Sequence, residues 1–237
     1  MKLSAPIYQL KREAKDMARL QAIPLHAALD HVAGKEGFVS WSLLAARHAS
    51  ASPAEKLYSH LKDGDFVLIG ARPGKGKTLL ALELLVNAAK AGRHAVFFTL
   101  EYTEKDIVGR FEKLGVKPSD IRNIVFDCSD RISADHIMAA MREAPKGTVA
   151  AVDYLQLLDQ RRETPPLARQ LESLKHFAVE RALTLIFISQ IDRSYDPLAK
   201  VYPDMTDVRL PNPMDLGLFN KACFLNGSGT AQILFQN

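Results

Sequence analysis

The stretch from Lys62 to Leu85, KDGDFVLIGARPGKGKTLLALELL, constrains the fold more than any other part of the chain. A short apolar run, Phe66 to Ile69, ends at Gly70. The loop ARPGKGKT, Ala71 to Thr78, follows at once, and Leu79 to Ala91 then places apolar residues at helical spacing. Strand, tight loop and helix in that order make a phosphate-binding unit. A polyphosphate is wrapped by successive backbone N–H groups, and glycine lets the main chain come that close without a Cβ in the way. Gly74 and Gly76 supply this freedom. Lys77 brings an ammonium to the β and γ phosphates, Thr78 offers a hydroxyl to Mg²⁺, and the helix N-terminus adds partial positive charge. The candidate nucleotide loop is therefore Arg72, Pro73, Gly74, Lys75, Gly76, Lys77 and Thr78, with Lys77 expected as an exposed loop charge. The usual pattern opens with Gly, where this chain has Ala71. A chance G-K-T is the bland alternative, but strand, loop and amphipathic helix occur together.

With 237 residues and 47% apolar content the chain can bury one α/β core plus a small appendage. The formal net charge of +4, with a pI near 9.0, permits nucleic acid as a partner without demanding it. Cys128 and Cys223 lie far apart in apolar sequence, which reads as buried free thiols in a reducing compartment. His26 and His31 are spaced wrongly for two ligands on one helical face, so no structural metal is expected. The first residues, MKLSAPIYQLKREAKDMARL, carry too many charges for a signal peptide, and no long apolar run offers a membrane span. The expected location is the cytoplasm.

Residues 6 to 60 read as helices only. Ile7, Leu10, Ala14, Met17, Ala18 and Leu20 form one apolar stripe, opposite Lys11, Arg12, Lys15 and Arg19. That basic face could touch phosphates, although a solvated face is the commoner use of such charges. A second helix is expected from Pro24 to about Ala33, stopped by Gly34 and Gly37. Ser40 then caps a helix beginning at Trp41, a core candidate, and Ser52-Pro53 opens another through Leu61. The expected organisation is a small all-α module over residues 1–60 and an α/β domain over residues 61–237.

Beyond the loop, strands are expected at His94 to Thr99, Ile124 to Phe126, Val149 to Val152 and Leu185 to Ile188. Helices are expected at Glu104 to Leu114, Ser133 to Glu143 and Leu167 to Arg181. Such alternation means a mostly parallel sheet covered on both faces, with ligand groups collecting at the carboxyl ends of its strands. Polar residues stand at those ends: Glu101 after FFTL, Asp153 after AAV and Gln190 after FIS. In a phosphate-loop enzyme one such acid holds Mg²⁺ and another polarises the attacking water. Asp153 is assigned the metal role, Glu101 the water, and Gln190 the sensing of the γ-phosphate. Taken alone, Glu101 reads equally well as a cap of the next helix, and Gln190 nearly as well as a structural hydrogen-bonder. An unsatisfied carboxylate at Asp153 would cost several kcal/mol, so its structural alternative is weak.

ARPGKGKT, TLEY, DYLQLL and SQIDRS, in that order, resemble the successive motifs of the DnaB-type bacterial replicative helicases, over about Leu61 to Asn226. The resemblance implies a RecA-like P-loop NTPase core that binds ATP and Mg²⁺, with Lys77 and Thr78 at the nucleotide, Glu101 as base, Asp153 at the metal and Gln190 as sensor. It also implies work on single-stranded DNA as a homo-oligomer, a ring hexamer in the family. Asp207-Val208-Arg209 is similar to the D-L-R that opens the family's DNA-contacting motif, and Arg193, Lys200 and Arg209 are the candidate nucleic-acid residues.

The departures from the pattern are local. After Arg209 the chain reads LPNPMDLGLFN, with Pro211 and Pro213 stiffening it, where the family has a small, acidic, Gly-containing stretch. Nothing basic follows Lys221, where the family carries residues that reach a neighbour's nucleotide; Arg193 and Arg209 are the candidate substitutes. The family's primase-interacting N-terminal domain has a shorter helical module in its place. Two readings stand: a DNA-translocating or unwinding ATPase, and a nucleotide-dependent regulatory ATPase without processive unwinding. The segment from Arg193 to Pro213, rich in proline and poor in apolar periodicity, is expected to be extended or poorly ordered without its ligands.

Overall fold

In the computed structural model, which describes residues 3–5, 7–159, 165–210, 212, 214–227 and 230–235, the run beginning at Phe66 becomes the strand β1, Phe66–Ala71, buried along its whole length. Strands buried on both faces read as continuous apolar runs, as this one does. The chain divides into two compact units, Met1–His60 and Leu61–Asn237.

The first unit holds α1 (Ile7–Leu20), α2 (Leu25–Lys35), α3 (Trp41–Ser50) and α4 (Pro53–Ser59). Leu10 and Ala14 of α1 close on Ala28 and Val32 of α2, with Met17, Ala18 and Trp41 packed partly against them. Leu20, expected in the stripe, is 87% exposed: the helix ends there and the chain turns at Ala22. Gly34 lies inside α2 and does not stop it. The stop comes at Gly37, where φ of 82° lets the Phe38 and Gly37 amides bond back to the carbonyls of Ala33 and Gly34. Ser40 accepts from the Leu43 amide, and Ser52 forms a capping box with Glu55.

The second unit continues through α5 (Lys77–Lys90), β2 (Ala95–Thr99), α6 (Glu104–Lys113), β3 (Ile124–Asp127), α7 (Ala134–Ala140) and β4 (Val149–Asp153). It closes with α8 (Leu167–Glu180), β5 (Thr184–Gln190), β6 (Lys221–Leu225) and β7 (Ala231–Phe235). The sheet order is β3-β2-β4-β5-β1-β6-β7, parallel except for β7, which runs against β6. β7, AQILF, is an edge strand whose residues are only half covered. Ser228 and Gly229, which precede it, lie outside the described residues. Phe66, Phe187 and Phe219 cluster in the core with ring centroids 4.8 to 5.9 Å apart.

Two features join β6 to β1. At their amino ends, buried Asp65 takes an ion pair from Lys221 at 2.6 Å and a hydrogen bond from Asn220 at 2.7 Å. Near their carboxyl ends, a Cβ on Gly70 would fall 2.6 Å from the Phe224 ring and 3.1 Å from Ile191. Gly70→Ala is therefore expected to destabilise the fold by about 1–3 kcal/mol through overpacking, read as a lower urea midpoint at unchanged slope.

Two expectations are corrected. Cys128, just past β3, is exposed; Cys223 is buried, and burial pushes its thiol up to about 12. The segment after β5 is not featureless. Tyr195 is buried and donates to the Lys200 carbonyl at 2.7 Å, while Lys200 pairs with Asp204 at 2.6 Å and Asp207 at 2.7 Å. Its base is closed by the Ile191–Val208 bridge, by Asp192 N to Asp207 O and by Arg209 N to Gln190 O, both at 2.8 Å. Aspartates accepting nearby amides, with one buried tyrosine, hold a segment that has no apolar period. Pro211 and Pro213, read as stiffening residues, lie outside the described residues.

Candidate nucleotide site

The loop that follows β1 turns on Gly74 and Gly76, whose φ angles of 74° and 86° lie in the left-handed region. A Cβ at either position would meet nothing within 4 Å, so backbone conformation and not packing calls for glycine. Gly76 stands at the N-cap of α5, and neither a side-chain cap nor an acid occupies the first turn. The first amides of α5 are thereby left for an anion. Pro73, Gly74, Lys75 and Gly76 are exposed and Arg72 is half-buried. Lys75 lies across the turn after β6: a Cβ on Gly227 would run into the stem of its side chain.

Lys77 corrects one expectation, because it opens α5 and is buried, as is Thr78. The helix start draws both residues down onto the sheet. There Thr78 Oγ1 donates to Asp153 Oδ2 at 2.9 Å. Asp153 ends β4, in register with Thr99 of β2 on one side and Ile188 of β5 on the other. It is fully buried, and its Oδ1 has no hydrogen-bond partner among the described residues. Burial pushes its carboxyl up to about 6; the Thr78 hydrogen bond opposes that rise, the Glu101 charge adds to it, and Lys77 and Arg110 oppose it.

Glu101 lies two residues beyond Thr99, exposed, with its amide donating to Thr99 Oγ1 at 3.1 Å. The cap of α6 is Thr103, in a capping box with Asp106, so the helix does not use Glu101 as its cap. Gln190 ends β5 opposite Ala71 of β1, and its Oε1 accepts from Arg209 at 3.4 Å. Arg193 and Arg209 are exposed, whereas the Lys200 ammonium is held between two carboxylates.

Two residues beyond the assigned set bear on the site. Gln156 donates from Nε2 to Ser189 Oγ at 3.0 Å and to the Arg209 carbonyl at 2.5 Å, tying the end of β5 to the segment that returns beside it. Arg110 stacks over the ring of Tyr102, 4.1 Å from its centroid. The only sign of Gln156 in the sequence is a polar residue in the apolar run after Asp153. Arg110 leaves no sign at all, because a cation on an amphipathic helix is ordinarily solvated.

The donors at Thr78 and Asp153 are hydroxyl and carboxylate oxygens, the type that suits Mg²⁺ and not a thiolate-binding metal. Among the described residues no cluster of three His, Cys, Asp or Glu could hold a metal by itself. That fits an ion completed by phosphate oxygens and water, to which the unpartnered Asp153 oxygen could be one ligand.

Among known proteins, the sequence model of the DnaB-like helicase C terminal domain family matches residues 52–121. The replicative DNA helicase DnaB of Mycoplasma pneumoniae is 27% identical over a 197-residue alignment that covers 66% of this chain and 41% of that protein. Its counterpart in Mycoplasma genitalium is 29% identical over 192 residues, covering 65% and 41%. The chain thus spans about two fifths of the length of these curated relatives. A solved structure of a DnaB-like replicative helicase and its interactions with primase superimposes with a TM-score of 0.61 at 18% identity, over 92% of this chain and 64% of that one. A second solved structure, of an isolated ATPase domain, does so with a TM-score of 0.54 at 22% identity, over 71% and 75%. No described helix is long and apolar enough to cross a membrane. By motif order, strand order and these matches, the chain is similar to the DnaB-like replicative helicases and has the fold of their ATPase domain.

Proposed function

We propose that the chain binds ATP with Mg²⁺ at the loop Arg72 to Thr78 and hydrolyses it to drive a DnaB-like motor on single-stranded DNA. The observation that carries this reading is the buried Asp153, bonded to Thr78 through one oxygen and unpartnered at the other, beside an uncapped helix N-terminus. Such a carboxylate is costly unless a cation or donors satisfy it. Bound Mg²⁺ would neutralise charge on the phosphates and draw electrons from the bond that breaks. Thr78 and Asp153 would hold that ion, and Lys77 would offset phosphate charge from within the fold. Glu101, exposed and not used as a cap, would accept a proton from the attacking water. Gln190, joined to Arg209, would relay the state of the γ-phosphate to the segment that follows it. Family likeness supports a ring of like subunits as the working form, and cytoplasm as its place.

The test is hydrolysis of ATP with and without single-stranded DNA, paired with molecular mass in solution with and without nucleotide. Turnover that DNA stimulates, in an assembly larger than the single chain, is expected; wild-type protein that neither binds nor hydrolyses ATP would overturn the reading.

The geometry also divides the candidate DNA contacts. Lys200 is offset by Asp204 and Asp207, so Lys200→Ala is expected to leave DNA affinity unchanged. Arg193→Ala with Arg209→Ala should lower single-stranded DNA affinity and flatten its salt dependence by about 0.7 log units per log of salt for each phosphate no longer neutralised. ATP affinity should stay as it was. A salt slope unaltered by the double substitution would remove these arginines from the DNA path.

A further inference from the structure

Glu101 sits in the link Leu100 to Thr103, between β2 and α6, and its carboxylate makes no hydrogen bond or ion pair among the described residues. Its reach is therefore limited only by where its backbone is held. One anchor precedes it, the bond from its own amide to Thr99 Oγ1. Another follows it, the capping box of Thr103 and Asp106. Between them stands Tyr102, whose ring lies under the Arg110 guanidinium at 4.1 Å. A cation over a ring face is attracted by the quadrupole of the ring, and a planar guanidinium stacks on it as well. Asp106, one helical turn before Arg110, accepts at its Oδ2 from the amide and hydroxyl of Thr103 at 3.0 and 2.6 Å. The guanidinium makes no ion pair or hydrogen bond among the described residues; it stacks on the ring, and its charge also acts on Asp106 and Asp153.

We propose that Arg110 is a positioning residue: clamped over Tyr102, it fixes the link that carries Glu101 and so holds the Glu101 carboxylate toward the nucleotide. This rests on the reading of Glu101 as the group that polarises water. Tyr102 is the residue through which Arg110 acts. The two other anchors fix the residues on either side, and without the clamp the link can rotate between them. Misplacement of a reacting group by an ångström is enough to cost about 10²-fold in rate. Nucleotide affinity should change far less than turnover, because neither Tyr102 nor Arg110 belongs to the loop around the phosphates and Arg110 reaches Asp153 only through its charge.

The test uses the full chain with Tyr102→Ala, Arg110→Ala, Tyr102→Phe, Arg110→Lys and the double alanine variant, beside Glu101→Gln. Each single alanine is expected to lower kcat by about 10- to 100-fold with ATP Kd and thermal midpoint close to wild type. The double variant should be no slower than the slower single, as for two residues that act as one unit. Tyr102→Phe keeps the ring face and should retain wild-type turnover; Arg110→Lys, which lacks the planar fork, should fall between. Amide exchange at Glu101 and Tyr102 should quicken in both single alanine variants, a readout that does not depend on turnover. The inference is overturned if Arg110→Ala turns over at the wild-type rate while Glu101→Gln is inactive. It is equally overturned if Arg110→Ala loses ATP affinity as much as turnover, or if exchange at Glu101 is unchanged. Should Glu101→Gln hydrolyse ATP at the wild-type rate, the role of Glu101 fails instead, and the exchange measurement alone then decides whether the clamp exists.

Discussion

Lys77→Ala is expected to abolish measurable ATP binding, and Glu101→Gln to bind ATP normally while losing nearly all turnover. The two losses separate because the residues act at different points of the reaction. Lys77 opens α5, buried beside Thr78, where its ammonium would meet phosphate charge in both the ground and the transition state. Removing it weakens both, so affinity falls. Its stem is packed, so the thermal midpoint should fall slightly as well. Glu101 is exposed and touches no phosphate-binding amide, so its replacement spares the ground state. A general base contributes about 10²- to 10⁴-fold, and the loss on Glu101→Gln should lie in that range. Equilibrium binding of a fluorescent ATP analogue, read beside single-turnover hydrolysis, distinguishes the two. An Lys77→Ala protein with wild-type affinity would refute the phosphate-loop assignment, and a fully active Glu101→Gln protein would refute the assignment of the base.

Asp153→Asn should make the nucleotide-free protein more stable at neutral pH while removing its response to Mg²⁺. The Asp153 carboxyl is raised from 3.8 to about 6, chiefly by burial, so ionising it opposes folding. The sign follows from the unfolded chain, which ionises first as pH rises. Stability from this group is fully present below pH 3.8 and is lost as pH climbs through about 6. A shift of about two units corresponds to about 3 kcal/mol in the ionised range. The asparagine removes that penalty, keeps the acceptor for Thr78, and places an amide N–H where Oδ1 had no partner, at a cost of about 1–3 kcal/mol. A net gain of about 1 kcal/mol at pH 7.5 is expected, shrinking to nothing or reversing below pH 4. With MgATP the order reverses: wild type gains stability above pH 6, where the carboxylate is free to hold the ion, and the variant gains only what ATP gives without Mg²⁺. Urea unfolding from pH 4 to 8, with and without MgATP, checks both halves. Parallel stability curves for the two proteins would show that Asp153 is not the ionising group.

Arrangement about the phosphate loop is legible in the chain itself. A buried strand, two glycines and an amphipathic helix follow one another without interruption from Phe66, so local spacing alone implies the unit. Continuous apolar runs such as Val149 to Val152 declare strands covered on both faces, hence the parallel sheet. The polar residues that end those runs can be named in advance, because a buried strand has no other reason to stop at Asp153 or to release Gln190 at its edge.

Other features depend on residues distant in sequence. Gly70 reads as the end of the apolar run, but it is the approach of Phe224 and Ile191 that excludes a side chain there. Lys77 reads as an exposed loop charge, and only the descent of α5 onto β4 buries it. Lys200 reads as a candidate nucleic-acid contact, and is tied up once Asp204 and Asp207 fold back beside it. β7 cannot be inferred from AQILF, since an edge strand owes its form to the partner strand β6. Sequence by itself determined the order of elements and the residue types available at their ends, because propensity, periodicity and turn chemistry act over a few neighbours. Tertiary structure alone decided which of those residues face one another, because burial, ion pairing and the Arg110–Tyr102 contact depend on strand order and on where each helix comes to rest.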